Sequence, residues 1–207
     1  IGRFLARLHN TGSARAFAHR ATLSVERLAI EPAQWLLDQQ AIPLEVARDW
    51  REAYQAVLPL LQSQLADMNS ALIRVHGDCH PGNILWTPID LPGGGPHFVD
   101  LDDACMGPAV QDVWMLLSGD RRQRTLQLSA LLDGYEQLRD FDRRELAWIE
   151  GLRTLRLIHY SAWLARRWSD PTFPIHFPWF GSPDYWRGQV QMLHEQLEAL
   201  QEAPLVV

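Results

Sequence analysis

Two short segments of the 207-residue chain carry residue types that could do chemistry together. The first, Val75 to Trp86, sets a carboxylate, Asp78, five positions before an amide, Asn83. Gly77, Pro81 and Gly82 force the backbone there into a loop, and a loop can aim both side chains at one point. The second, Phe98 to Asp103, alternates so as to predict a short strand, with Asp100 and Asp102 on one face, Val99 and Leu101 on the other, and Asp103 out of phase. A base, an amide and an acid or two are what phosphoryl transfer asks of a protein, which must orient a hydroxyl, hold a hard cation through oxygen and neutralise the transferred group. In that chemistry Asp78 takes the proton of the attacking hydroxyl, and Asn83 offers a neutral oxygen to Mg²⁺. Two carboxylates at one strand end repel unless positive charge sits between them, and a cation bridging nucleotide phosphates supplies it. Asp100 is the preferred metal ligand and Asp102 the second.

The same residues have plainer uses. His76, Asp78, Cys79 and His80 could form a hydrolytic metal cluster of imidazole, carboxylate and thiolate. Such a site wants further ligands at regular spacing, whereas His9, His19, His97, His159, His176 and His194 are scattered singly. Asp78 and Asn83 could also be ordinary turn residues, and 100–103 a solvated strand end. Both motifs occurring in order argues against that. With Asp78 as the base, His76 and His80 become hydrogen-bonding supports.

The elements that must position these segments are mostly helical. Ile1, Phe4, Leu5 and Leu8 follow helical spacing, with Gly12 as a stop. Residues 24–40 read as two short helical pieces with Pro32 at a helix start. Pro43 opens a longer helix whose apolar face runs from Val46 through Trp50, Tyr54, Val57 and Leu61 to Leu65, and Pro59 inside it predicts a kink or break. Ala71 to Val75 leads into the loop, and 84–87 pairs with 97–101 as a hairpin around a Gly93-Gly94-Gly95 tip. That tip lies between two strand patterns, so it is a turn rather than a phosphate cradle, which would open a helix. Asp112 falls in or near the first turn of a helix that follows Gly107-Pro108. A helix over 121–138 follows, and Asp142-x-x-Glu145 reads as a capping box for a long helix through Trp163. Residues 172–181 are too rich in proline and aromatics for regular structure, and Ser182-Pro183 caps a last helix.

Composition limits the alternatives. Hydrophobic content of 47% and nine tryptophans support a sizeable core. A net charge of -6, with no basic run longer than a pair, argues against a nucleic-acid partner. No stretch is apolar for long enough to span a bilayer. Two cysteines, Cys79 and Cys105, fit a reducing compartment better than a disulfide framework.

The Asp-to-Asn interval matches the catalytic loop of protein kinases. The pattern His76-Gly77-Asp78-x-His80-Pro81-x-Asn83-Ile84-Leu85, then Val99-Asp100 and Gly107-x-x-x-x-Asp112, resembles the aminoglycoside phosphotransferase and choline kinase superfamily. Phe98 to Leu117 and the aromatic and proline run from Trp163 to Trp186 are similar to a branch of that superfamily, the bacterial stress-response serine/threonine protein kinases. The resemblance covers nearly the whole chain. It implies an α+β, mainly helical C-terminal lobe of a protein-kinase-like fold over residues 1–207, bearing a small catalytic hairpin. Carried over by position, Asp78 is the proton acceptor, Asn83 and Asp100 hold magnesium, and Asp112 braces the loop through its backbone. ATP is the implied phosphoryl donor and a protein serine or threonine hydroxyl the implied acceptor. The hydroxyl of an aminoglycoside, choline or homoserine is the alternative. The expected partners include neither nucleic acid nor membrane, and the expected protein is a cytoplasmic monomer.

All nineteen basic residues are arginine. Kinases of this general kind use a lysine from a small N-terminal lobe, beneath a glycine-rich loop, to hold the nucleotide phosphates. This sequence has neither, and Ile1 falls inside a helical pattern. The expectation is that an N-terminal lobe carries most nucleotide contacts and that these 207 residues alone turn over no ATP. A third reading is a non-catalytic lobe that binds partners or an N-terminal half supplied in trans.

Overall fold

Helical periodicity accounts for most of the secondary structure in the computed structural model, which describes all 207 residues apart from the side chains of Ser70 and Ala71. In chain order the elements are α1 (Gly2–Ser13), α2 (Glu31–Asp38), α3 (Leu44–Gln64), β1 (Ile73–Val75), β2 (Ile84–Thr87), β3 (Gly95–Phe98) and β4 (Cys105–Gly107). They continue with α4 (Val110–Trp114), α5 (Arg121–Tyr135), α6 (Ile149–Arg167), α7 (Thr172–His176) and α8 (Pro183–Ala199). The chain divides into two compact units, one of Ile1–Leu23, Asp67–Ile149 and Ala203–Val207, the other of Ser24–Ala66 and Glu150–Glu202.

The first unit holds every strand. Strands β1 and β4 pair antiparallel from Ile73↔Gly107 to Val75↔Cys105, and β2 and β3 pair antiparallel from Ile84↔Phe98 to Thr87↔Gly95. Helix α1 packs on α5 and β1. Gly12 does not stop α1, which runs on to Ser13; a Cβ there would lie 2.2 Å from the Arg74 carbonyl oxygen, so the missing side chain lets helix and strand touch. Leu5, Val110, Val113, Leu128 and Leu132 form the buried apolar interior. The hairpin forms as expected but out of position: β3 starts at Gly95 and ends at Phe98. Val99 to Leu101 lie outside any strand, and Asp102 and Asp103 form a turn. The alternation that put Asp100 and Asp102 on one face therefore does not exist. Its physical reason is Asp100 itself, whose φ of 62° is left-handed and breaks the extended path.

The second unit is helical. Helices α3 and α8 pack together. Between them Trp50 stacks on Tyr54, with ring centroids 5.6 Å apart and planes at 7°, and meets the edge of Trp186 at 6.4 Å. Of the kink or break expected at Pro59, the break does not occur: α3 runs on through it to Gln64. A π-helical turn, Glu26–Ile30, leads directly into α2, with Pro32 in its first turn where the absent N–H costs nothing. Ser182 caps α8, its Oγ accepting from the Tyr185 N–H at 3.2 Å. The stretch expected to be irregular holds the one-turn α7 before the chain turns irregularly through Phe177 to Gly181.

Asp142-x-x-Glu145 is not a capping box. Asp142 accepts from the Arg144 N–H and opens a 3-10 turn, Arg143–Trp148, ahead of α6. Glu145 instead turns inward and is buried. The capping box that does form is Asp120 with Gln123 at the start of α5.

Candidate active site

The loop after β1 is held by backbone-directed bonds, beginning with Asp112. Its carboxylate, wholly buried on α4, accepts from the His76 N–H at 2.7 Å through Oδ2 and from the Gly77 N–H at 2.9 Å through Oδ1. Two charge-assisted bonds to successive amides fix the direction in which the loop leaves the strand. Gln111, its neighbour, donates to the Gly77 carbonyl at 2.8 Å. Gly77 adopts a φ of 87°, and a Cβ on it would sit 2.2 Å from the Asp103 carbonyl oxygen. Only glycine permits the loop to pass so close to the acid-rich turn.

From there the loop closes on itself. Asn83, at the end of the 3-10 turn Pro81–Asn83, donates through Nδ2 to the Asp78 carbonyl at 3.0 Å and lies 3.4 Å from Asp78 Oδ2. His80 Nε2 lies 3.5 Å from the same Oδ2, while its Nδ1 accepts from the Gly82 N–H at 3.0 Å. Carboxylate and amide, five residues apart, thus share one hydrogen-bonded patch. With its nitrogen committed to Asp78, the Asn83 side chain has its carbonyl oxygen as the end suited to a hard cation.

Asp100 is tied to this patch through the residue before it. The Val99 N–H donates to the Asn83 carbonyl at 3.0 Å, and the Val99 carbonyl accepts from His76 Nε2 at 2.9 Å. His76 Nδ1 accepts from the Asp78 N–H at 3.4 Å, which assigns the ring proton to Nε2. One buried imidazole therefore spans from Asp78 to the segment carrying Asp100. Left-handed backbone at a non-glycine residue costs on the order of 1 kcal/mol or more and persists where the surroundings impose it. Beyond it, Arg20 Nη1 donates to the carbonyls of Leu101, Asp102 and Ala104 at 3.0, 2.6 and 3.3 Å and holds the turn. Asp102 is exposed in that turn, out of the alternation that made it the second ligand.

The hydrolytic-metal alternative fits poorly. Both nitrogens of His76 are engaged, and burial pushes the Cys79 thiol far up, assisted by Asp112 and Asp78, so it does not supply a thiolate. Among the described residues no group of three or more His, Cys, Asp or Glu is arranged to hold a metal.

Several residues of this framework carried no sequence signal of their own. His9, wholly buried on α1, has Nε2 3.0 Å from Asp112 Oδ2 and Nδ1 2.8 Å from the Tyr135 hydroxyl. The only hint is its place one turn after Leu5 on the buried face of α1. Burial pushes the Tyr135 hydroxyl far up, which keeps it protonated as a donor. Glu145 accepts from the Val110 N–H at 2.8 Å at the start of the helix that carries Asp112. Burial raises its carboxyl to about 7, against the Val110 bond, which lowers it.

Comparison with known proteins gives the family and the fold. Stress response kinase A of Escherichia coli K12 is 43% identical over 205 residues, covering 99% of this chain and 60% of that protein. Serine/threonine protein kinase RdoA of Salmonella typhimurium LT2 is also 43% identical over 205 residues, with the same coverage. The chain thus spans 60% of the length of these curated relatives. Amicoumacin kinase hAmiN, solved in complex with AMP-PNP, Ca²⁺ and Ami, shares the fold at a TM-score of 0.63 and 19% identity, covering 99% of this chain and 58% of that one. The model of the phosphotransferase enzyme family matches residues 1–149, the span that contains the braced loop, the acid-bearing turn and their supports, and the chain belongs to that family.

Proposed function

We propose that this chain is the catalytic lobe of an ATP- and Mg²⁺-dependent kinase that phosphorylates serine or threonine hydroxyls of proteins. The observation that carries the reading is the tie between Asp78, Asn83 and the Asp100 segment, made by Asn83 and His76 across 23 residues of sequence. Asp78 accepts the proton of the attacking hydroxyl, and His80 beside it keeps the carboxylate oriented. Asn83 and Asp100 supply oxygen ligands to the cation, one amide and one carboxylate, a set that suits an ion which retains several waters. Bound there, magnesium would neutralise charge on the nucleotide phosphates. Asp102 is a further carboxylate near that cation in this reading. The protein acceptor rests on the relatives named stress response kinase A and serine/threonine protein kinase RdoA. The nucleotide rests on the AMP-PNP in the amicoumacin kinase complex.

A small-molecule acceptor is the second reading, favoured by that same neighbour, an amicoumacin kinase. Labelled ATP offered to the full-length protein with casein in one series and an aminoglycoside, an amino alcohol or choline in another separates the two. Label in protein serine or threonine supports the first reading. Label in the small molecules alone replaces it with the second. Removing the Asp100 carboxylate should raise the Mg²⁺ concentration needed for half-maximal transfer by about tenfold or more. If Asp102→Ala does so and Asp100→Ala does not, the ligand role belongs to Asp102.

A further inference from the structure

The second unit carries a positively charged aromatic face that the proposed chemistry does not use. Helix α6 presents Arg156, His159, Tyr160, Trp163, Arg166 and Arg167 at helical spacing. The Arg167 guanidinium lies over the Trp163 ring, 4.5 Å from its centroid, and the Arg166 guanidinium lies over Trp35 of α2 at 5.2 Å. Tyr160 stacks on Trp163 at 5.8 Å and 11°, and Phe173 and Phe177 close around the same ring at 5.3 and 6.3 Å. The aromatic floor reaches the surface: Tyr160 is 36% exposed, and Trp179, against Phe177, 43%.

In a chain of net charge -6, burial disfavours the charged form of His159, and Arg166, Arg27, Arg156 and Arg167 all lie near enough to disfavour it further. Among the described residues none of Arg27, Arg166 and Arg167 forms an ion pair. Arg166 and Arg167 sit in the last turn of α6, where cations complement the helix dipole. That accounts for two of the four; Arg27 comes from the π-helical turn and Arg156 from the middle of α6.

We propose that this arginine and aromatic face docks an acidic peptide segment of a partner protein, its carboxylates on the guanidiniums and an aromatic or aliphatic side chain on the Trp163 floor. Guanidiniums already stacked on rings lose less freedom when they take a carboxylate in a fork. Arginine and tryptophan together are what protein interfaces use as their strongest contacts. A nucleic acid fits less well, since it needs a longer track of cations than four arginines in an acidic chain provide. This docking is independent of which hydroxyl is phosphorylated, because a docked segment need not contain the acceptor.

The test uses the full chain and a short fluorescein-labelled peptide in which glutamates flank one phenylalanine, read by anisotropy. Wild type should bind it, and the same peptide with glutamine for glutamate should bind about tenfold more weakly or worse. Arg166→Glu with Arg167→Glu should lose about tenfold or more, while Arg48→Glu, on α3 and paired with Glu52, should change nothing. If the double variant fails to fold, Arg27→Glu alone carries the comparison. A second readout is the His159 ring proton resonance, whose titration midpoint, about 4 in the free protein, should move up when carboxylates approach the arginines. No binding by wild type, equal binding of the glutamine peptide, undiminished binding by the arginine variants, or preference for phosphatidylserine vesicles over the peptide would each overturn the proposal.

Discussion

The two units bury different things. The first places His9, His76, Asn83, Gln111, Asp112 and Glu145 out of water; His76, Asn83, Gln111 and Asp112 bond backbone groups of a loop and its neighbouring segment, while His9 and Glu145 brace Asp112 and the start of its helix. The second is held by long helices around Trp50, Tyr54, Leu61, Leu155 and Trp186. Its buried polar side chains, Thr154, Ser161 and Gln189, bond mostly within or between those helices. A buried polar group is costly unless satisfied, so a loop fixed by such groups has one geometry or none. An aliphatic and aromatic interior tolerates change in small steps. The difference teaches where this chain needs a unique answer: around Asp78.

Asp78→Asn is the sharpest test of that contrast. The substitution keeps shape and the patch shared with Asn83 but removes the proton acceptor. In the proposed reaction the full-length variant should lose at least about a hundredfold in kcat with an unchanged melting temperature. Normal turnover would end the assignment of the base.

Next come two core substitutions expected to cost alike and differ in kind. Asp112→Ala leaves the His76 and Gly77 N–H groups and His9 without their acceptor, and should destabilise by about 3–5 kcal/mol. Trp50→Ala opens a cavity in the second unit and should also cost about 3–5 kcal/mol. At a temperature where both variants remain folded, the first should lose activity and the second should keep it. Asp112→Asn should recover only part, because its NH₂ faces an N–H that needs an acceptor. Full activity in Asp112→Ala would show that the loop holds its shape without the brace.

Glu145 gives a pH signature to the first unit. Its carboxyl is raised from 4.5 to about 7 in the folded state, so between these values the native protein holds a proton that the unfolded chain has released. Its contribution is fully present below about pH 4.5 and declines as pH rises to about 7, on the order of 3 kcal/mol in all. Glu145→Gln still offers an oxygen to the Val110 N–H but does not titrate. The difference in stability between variant and wild type should therefore swing toward the variant across this window in denaturant melts. Parallel pH profiles would place the carboxyl in water rather than in the interior.

The same contrast governs what could be read from residue order. The second unit's helices follow from apolar spacing, and Pro43, Pro32 and Ser182 mark starts that local backbone chemistry dictates. The loop holding Asp78 and Asn83 was legible because glycine and proline surround them at short range, whereas the brace from Asp112 was implied only by the family resemblance. His9, Gln111 and Tyr135 were not legible, since their partners lie up to 126 residues away and a lone buried histidine has no spacing to betray it. Glu145 misled because its spacing from Asp142 imitates a local motif while its carboxylate is taken by a remote amide. At Asp100 a single left-handed residue cancelled a pattern that period-two alternation supports equally well.

The smallest effect should come from the polar contacts on the outside of the second unit. Arg187 reaches Glu45 at 2.7 Å, joining α8 to α3, and also bonds Asp184 at the same distance. Both side chains of the longer link are more than half exposed, at 59% and 57%, so solvent screens the pair and ordering two long side chains offsets much of the attraction. A double-mutant cycle with Glu45→Ala and Arg187→Ala should give a coupling below about 1 kcal/mol that shrinks further in high salt. A coupling of about 2 kcal/mol or more would mean that the helical unit, too, is pinned by polar contacts remote in sequence. The distinction between a unit that specifies a loop and a unit that merely packs would then fail at the place where it should hold most easily.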